Sequence, residues 1–254
     1  DGNELLKEIG SQLYGPNHMH YFLLYAPYDA SIDWNALTPF FRNWGEVLIN
    51  HMVSDSIRAV SQVKREQAKQ KYTGTYQVND ISDLVPYGKD RAAYEKRVLE
   101  IINSLKGSSL RQYFVSAFPF FNTRNSLVYD LIHCTGHIRG FKLFKSTAWK
   151  AFDGYSSSKT THDLEGQMTL DCFGEDTNTT TADETRYTLK DAAQYLQINF
   201  HGRADVPKQE VWQFLDLHPV FISEGFTRTI CDNLTLYYGA KVSRSTITFS
   251  DRRG

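Results

Sequence analysis

Several features are scarce in this 254-residue sequence, and each scarcity removes a class of function. No run of eighteen apolar residues occurs, which leaves no candidate for a membrane-spanning helix, and the first residues carry no signal-peptide pattern. Cysteine is limited to Cys134, Cys172 and Cys231, an odd number with no CxxC pair. That argues against a disulfide framework or a zinc knuckle, and a reducing cytoplasm is the expected compartment. Neither sign of charge is in excess: the net charge is −1, so no global field draws the chain to nucleic acid or membrane. There is no GxGxxG loop, Walker motif or GxSxG elbow. Aromatic residues, by contrast, make up 14% of the chain, so a core rich in Phe and Tyr is expected. The length suits one large domain or a domain with a small appendage. The opening DGNELLKEIGSQL reads as a helix already under way, so we expect the chain to be the later part of a longer protein.

The apolar pattern alternates between helix and strand. Leu5, Leu6, Ile9 and Leu13 give helical spacing over residues 4–13, and Gly15-Pro16 stops it. YFLLY (21–25) is a continuous apolar run, as in a strand buried on both faces. Asp33 is placed to cap a helix over 34–44 that carries Leu37, Phe40 and Phe41 on one face. EVLINH (46–51) is a second buried strand. Ser54 or Asp55 opens a helix through Ile57, Val60 and Val63, with the charged KREQAKQK (64–71) as its solvated end. Residues 89–105 form an amphipathic helix. Two strands over 113–121 and 126–134 follow, joined by the tight-turn composition Asn-Thr-Arg-Asn, and a helix covers 137–152. The order implies parallel strands closed by an antiparallel hairpin at the sheet edge.

From 153 to 186 the texture changes: Ser and Thr supply 11 of 34 residues, the composition of a linker, with one short strand over 167–173. Beyond it, Thr188 caps LKDAAQYLQINF, which Gly202 ends; Pro207 opens PKQEVWQFLDLH; and Ser223 caps EGFTRTICDNLTLYY, which Gly239 ends. A β-prone stretch over 241–249 completes a winged helix-turn-helix pattern. Charge is segregated within it. Residues 225–254 hold five cations against two anions, whereas 183–224 hold four against seven. Arg228, Asn233, Lys241, Arg244, Arg252 and Arg253 are therefore the candidate DNA contacts, with the third helix in the major groove and the wing on the backbone. Phe226, Ile230 and Leu234 form that helix's buried stripe, and Asp232 would repel phosphates. Docking of a protein partner is the rival use of the same module.

Chemistry could also reside at LLYAPYDASIDW (23–34). Ligands of open α/β sheets bind beyond the carboxyl ends of the strands. A strand running into Asp/Asn-Pro-Pro-Tyr meets the target amine of amino-methyltransferases through its polar side chain and proline carbonyl, while the aromatic ring stacks on the base. Here Pro27 and Tyr28 are in place, Ala26 occupies the acceptor position, and Asp29 is displaced by three residues. A plain strand-to-helix turn with a tyrosine lid accounts for the same residues. Asn50-His51 ends the following strand, with Asp55 four residues on from His51. A hydrolase using His51 and Asp55 lacks a placed nucleophile. His133 and His137 in HCTGH suit a metal only on a common helix, which Gly136 disfavours, and no metal is expected.

The stretches LLYAPYDASIDWNALTPFFRNWGEVLINHMVSDSIR, SAFPFFNTRNSLVYDLIHCTGHIRGFKLFKSTAWK and FISEGF…YGAKVSRSTITFSDRR resemble the three-Cys-motif partner proteins of bacteria and phages. The resemblance implies a Rossmann methyltransferase-type domain followed by a winged helix, and association with DNA or with a radical-SAM-like three-Cys-motif partner enzyme. It implies S-adenosylmethionine in a longer form and no cofactor for this chain alone, because the family's glycine-rich loop, reading like DGFAGPG, has no match here. The family's Asp-Pro-Phe-Gly turn corresponds to Ala26-Pro27-Tyr28-Asp29, with the leading Asp replaced by Ala.

The expected architecture is thus α/β: a partial Rossmann-like, methyltransferase-type sheet over 1–152, a linker over 153–186 and a winged helix over 187–254. The expected function is that of a methyltransferase-like, nucleic-acid-associated protein, with Pro27, Tyr28, Asp29 and Asn50 around any substrate. The alternative is a non-catalytic adaptor whose winged helix docks a protein.

Overall fold

The computed structural model describes residues 8, 21–25, 32–42, 46–52, 66–79, 91–105, 113–121, 127–159 and 186–251. Contacts divide the chain into two units, the second made of Lys142–Ser158 and Thr185–Gly254 and the first of the remainder. The division falls inside one continuous helix rather than at residue 152. The expected helices over 4–13 and 54–63 and the strand over 167–173 lie outside the described residues.

In the first unit, β1 (Tyr21–Tyr25) and β2 (Glu46–His51) pair in parallel. The hairpin β3 (Phe114–Phe121) and β4 (Leu127–Thr135) is antiparallel, and β4 is inserted beside β2, giving the run β1-β2-β4-β3 within a five-stranded sheet that a further short strand completes beside β3. This is a mixed α/β arrangement in which side chains alternate between faces along every strand. Val47, Ile49, Ile132, Cys134 and Ala117 share one face, against which α1 (Trp34–Arg42) and α3 (Arg91–Leu105) contribute Leu37, Phe40, Val98, Ile101 and Ile102. Each such aliphatic side chain removed from water contributes roughly 1.5–3 kcal/mol. Phe22 stacks on Phe40 with ring centroids 4.6 Å apart.

Asp33 caps α1 as its position suggests: its Oδ1 accepts from the amides of Asn35 (3.0 Å) and Ala36 (3.2 Å). Two expectations fail in this unit. β1 is not buried on both faces, since Tyr21 is 64% and Leu23 53% exposed, while Phe22 and Leu24 pack against the core. The charged segment after residue 64 is not the end of a helix either, because α2 runs over Glu66–Tyr76. Its last residues are anchored from outside: Thr75 Oγ1 accepts from the Ile32 amide, Trp34 Nε1 donates to Thr75 O, and Arg97 donates to the carbonyls of Tyr76 and Gln77. Tertiary contacts of this kind override a weak local propensity.

α4 (Ile138–Ala151) follows β4, and β5 (Ser158–Lys159) is a two-residue strand where the chain passes between units. The second unit continues with α5 (Leu189–Phe200), β6 (Val206–Pro207), α6 (Lys208–Asp216), α7 (Thr227–Tyr238), β7 (Lys241–Val242) and β8 (Thr246–Thr248). The strands form an antiparallel sheet in the order β6-β8-β7. Thr188 and Asp191 make a reciprocal capping box on α5. Gly239, at φ 67°, ends α7 in the left-handed conformation, with its amide on Thr235 O and that of Ala240 on Leu234 O.

Ser223 is not the cap of α7. It is buried, its amide donates to Asp216 Oδ1 (2.8 Å), and Gly225 at φ 86° breaks the chain before the helix starts at Thr227. The same carboxylate pairs through Oδ2 with Lys142 Nζ at 2.6 Å. Beside it Lys145, fully buried, donates from Nζ to the carbonyls of Asp216, His218 and Phe221, each at 2.7 Å. Three protons meet three carbonyls, which satisfies the chain reversal between α6 and α7. Burial pushes this ammonium down to about 7, while Asp216 pulls it up. No described helix is long and apolar enough to cross a membrane.

Candidate functional site

Two places bring the sequence-derived candidates together. The first is the carboxyl end of β2, where an open α/β sheet receives ligands. β2 ends at His51, directly opposite Asp130 of β4, while Asn50 stands opposite Leu131 on β4 and Tyr25 on β1. His51 is 1% exposed, and its Nε2 lies 3.2 Å from the Tyr76 hydroxyl; Nδ1 has no hydrogen-bond partner. Burial pushes this imidazole down to about 4, so it is neutral at pH 7. Asn50 is 8% exposed, and its Oδ1 has no partner. Consecutive strand residues face opposite ways, so the two open groups serve different faces of the sheet. Pro27, Tyr28, Asp29 and Asp55 lie outside the described residues.

The histidine pair of HCTGH does not share a helix. His133 lies on β4 with Nε2 3.4 Å from Glu46 Oε2, and His137 precedes α4 with Nδ1 accepting from the Arg139 amide. Burial pushes His133 down, opposed by its bond to Glu46. Glu46 also accepts from Thr135 Oγ1 at 3.2 Å, and Gly140 is what admits it, because a Cβ there would collide with Glu46 Oε1. This Glu46–His133–Thr135 cluster was not anticipated. Its partners lie some ninety residues apart, and only the glycine in HIRG hinted at a close approach. Among the described residues, no group of three or more His, Cys, Asp or Glu could hold a metal ion.

The second place is α7 with the β7–β8 hairpin. Ile230, Leu234 and Tyr238 form its buried stripe; Phe226 is half-buried, with its ring 6.0 Å from that of Trp149. Arg228 is exposed on the first turn, Asn233 is half-buried, and Asp232 is exposed between them. Lys241 and Arg244 are exposed on the hairpin. The turn between them is held by Ser243 Oγ, which accepts from the amides of Thr246 (2.9 Å) and Ser245 (3.3 Å). Its base is tied to α6 through the Lys208 amide on Ser245 O at 2.9 Å. Arg252 and Arg253 lie outside the described residues. The same helix also exposes Leu236 (73%) and Tyr237 (52%), which sequence reasoning did not single out.

No protein-family model matches this chain, and no curated protein or solved structure is significantly similar to it.

Proposed function

We propose that this is a nucleic-acid-associated protein that binds duplex DNA through α7 and the β7–β8 hairpin, with a first unit of methyltransferase type acting beside a partner enzyme. One observation carries the proposal. Three exposed cations, Arg228, Lys241 and Arg244, occur on one helix and the hairpin that follows it, in a helix-strand-helix-helix-hairpin order with strand order β6-β8-β7. In a winged helix that helix enters the major groove while the hairpin lies along phosphates. A rigid hydroxyl-lined turn between two cations suits a phosphate backbone. The parallel pair β1-β2 continued by an antiparallel hairpin supports the methyltransferase-type assignment of the first unit. No cofactor is assigned to this chain, in which the glycine-rich loop has no match.

The test is titration of a labelled duplex at several salt concentrations. Three phosphate contacts give a slope of about −2.7 in log K against log salt, and Lys241→Ala with Arg244→Ala should weaken binding and make the slope shallower by roughly 1.8. Unchanged binding in that variant removes the hairpin contact.

A protein-docking adaptor is favoured by a different observation, the exposure of Leu236 and Tyr237 on α7. It predicts no duplex binding and loss of a co-purifying partner in Leu236→Glu.

A further inference from the structure

The buried stripe of α7 sets which of its side chains face outward. Ile230, Leu234 and Tyr238 are buried, and with about 3.6 residues per turn the opposite side of the helix carries Arg228 and, one turn on, Asp232. Both are exposed, and among the described residues neither side chain has an ion-pair or hydrogen-bond partner, not even the other. A cation one turn before an anion is the weaker order for pairing along a helix, which fits their being unpaired. Asp232 has no helical reason to stand there. It lies past the first-turn amides that a carboxylate can cap, and aspartate is a poor helix former. In the duplex docking proposed above it would face the groove, where its charge repels phosphates.

A carboxylate that costs phosphate affinity gains only from a base edge that donates to it. In the major groove the amino groups of adenine and cytosine donate; adenine suits a bidentate amide side chain, whereas cytosine N4 suits a carboxylate. Guanine offers O6 and N7 together, the pair of acceptors that an arginine fork spans. We propose that Arg228 and Asp232 are the base-reading residues of α7, Arg228 on a guanine and Asp232 on a cytosine of the same site. The inference rests on duplex binding by α7. One turn of helix rises about 6 Å, so the two bases lie about two base-pair steps apart. Lys241 and Arg244, on phosphates, hold the register and carry no sequence information. Asp232 opposes every duplex and is repaid only where the cytosine is present, so it selects by rejecting the other sequences.

The experiment uses the whole chain to select duplexes at low salt from a library with a randomised centre. The enriched duplex, and versions of it with one base pair exchanged at a time, are then titrated with wild type, Arg228→Ala and Asp232→Ala. The expected motif holds a guanine and a cytosine about two steps apart, and exchanging either weakens wild-type binding at least about fivefold. Asp232→Ala should lose the discrimination at the cytosine alone and bind the exchanged duplexes at least as tightly as wild type does. Arg228→Ala should lose it at the guanine. Both side chains are exposed and unbonded, so circular dichroism should show an unchanged fold in each variant. Tighter binding of Asp232→Ala to every duplex by one common factor overturns the proposal, because it makes Asp232 a repulsive charge and nothing more. An Asp232-dependent preference for any base other than cytosine overturns it too. Either result leaves duplex binding standing, whereas retention of no duplex overturns the docking reading and this inference together.

Discussion

The end of β2 in the first unit and the chain reversal between α6 and α7 in the second treat buried polar groups in opposite ways. In the second, Lys145 gives its three protons to three carbonyls, and Asp216 takes an amide on one oxygen and an ammonium on the other. In the first, the last two residues of β2 keep an amide oxygen and a ring nitrogen without partners. A satisfied network fixes a chain reversal, whereas buried groups without partners at a strand end are costly to fold around. Burial alone therefore does not tell a satisfied polar group from an unsatisfied one.

Lys145→Met breaks the comparison most severely. It leaves three carbonyls unpaired in a buried turn and should cost about 3–5 kcal/mol in urea unfolding. Gly140→Ala should cost roughly 1–3 kcal/mol, because its Cβ meets the Glu46 carboxylate. The penalty should shrink in the background of Glu46→Ala, a coupling that a double-mutant cycle measures. Acid acts on both units. His51 and His218 are held neutral by burial, with folded pKa values of about 4 against 6.5 when unfolded. The unfolded chain binds more protons between those values, so stability should be complete above pH 6.5 and fall as pH drops towards 4. Urea midpoints against pH check this, and a flat profile would show that both rings titrate in the folded protein as they do in the unfolded chain. The smallest effect sharpens the contrast: Asn50→Leu should raise the unfolding free energy by about 1 kcal/mol, because it removes a buried acceptor that has no partner.

Local signals were legible in the sequence where local physics decides. YFLLY and EVLINH became adjacent parallel strands, and the hairpin, the Asp33 cap, the Thr188 cap and the Gly239 stop stand where the residues suggested. What depended on distant partners was not legible. Ser223 looks like a cap until Asp216 takes its amide, and Lys145 in KLFKSTAW looks like one more surface lysine on an amphipathic helix. α2 extends past its charged stretch because Trp34, Ile32 and Arg97 hold its end. Of the candidate sites, the cations of α7 and the hairpin were readable from charge segregation. The open state of Asn50 needed the neighbouring strands to be known.

The most direct test of the DNA-binding account is to add a duplex to the 15N-labelled chain at low salt and map which amides move. Shifts concentrated at Arg228, Thr229 and the 241–246 hairpin, and reversed by added salt, are the predicted result. Shifts absent there, or confined to the Leu236–Tyr237 end of α7, would contradict it.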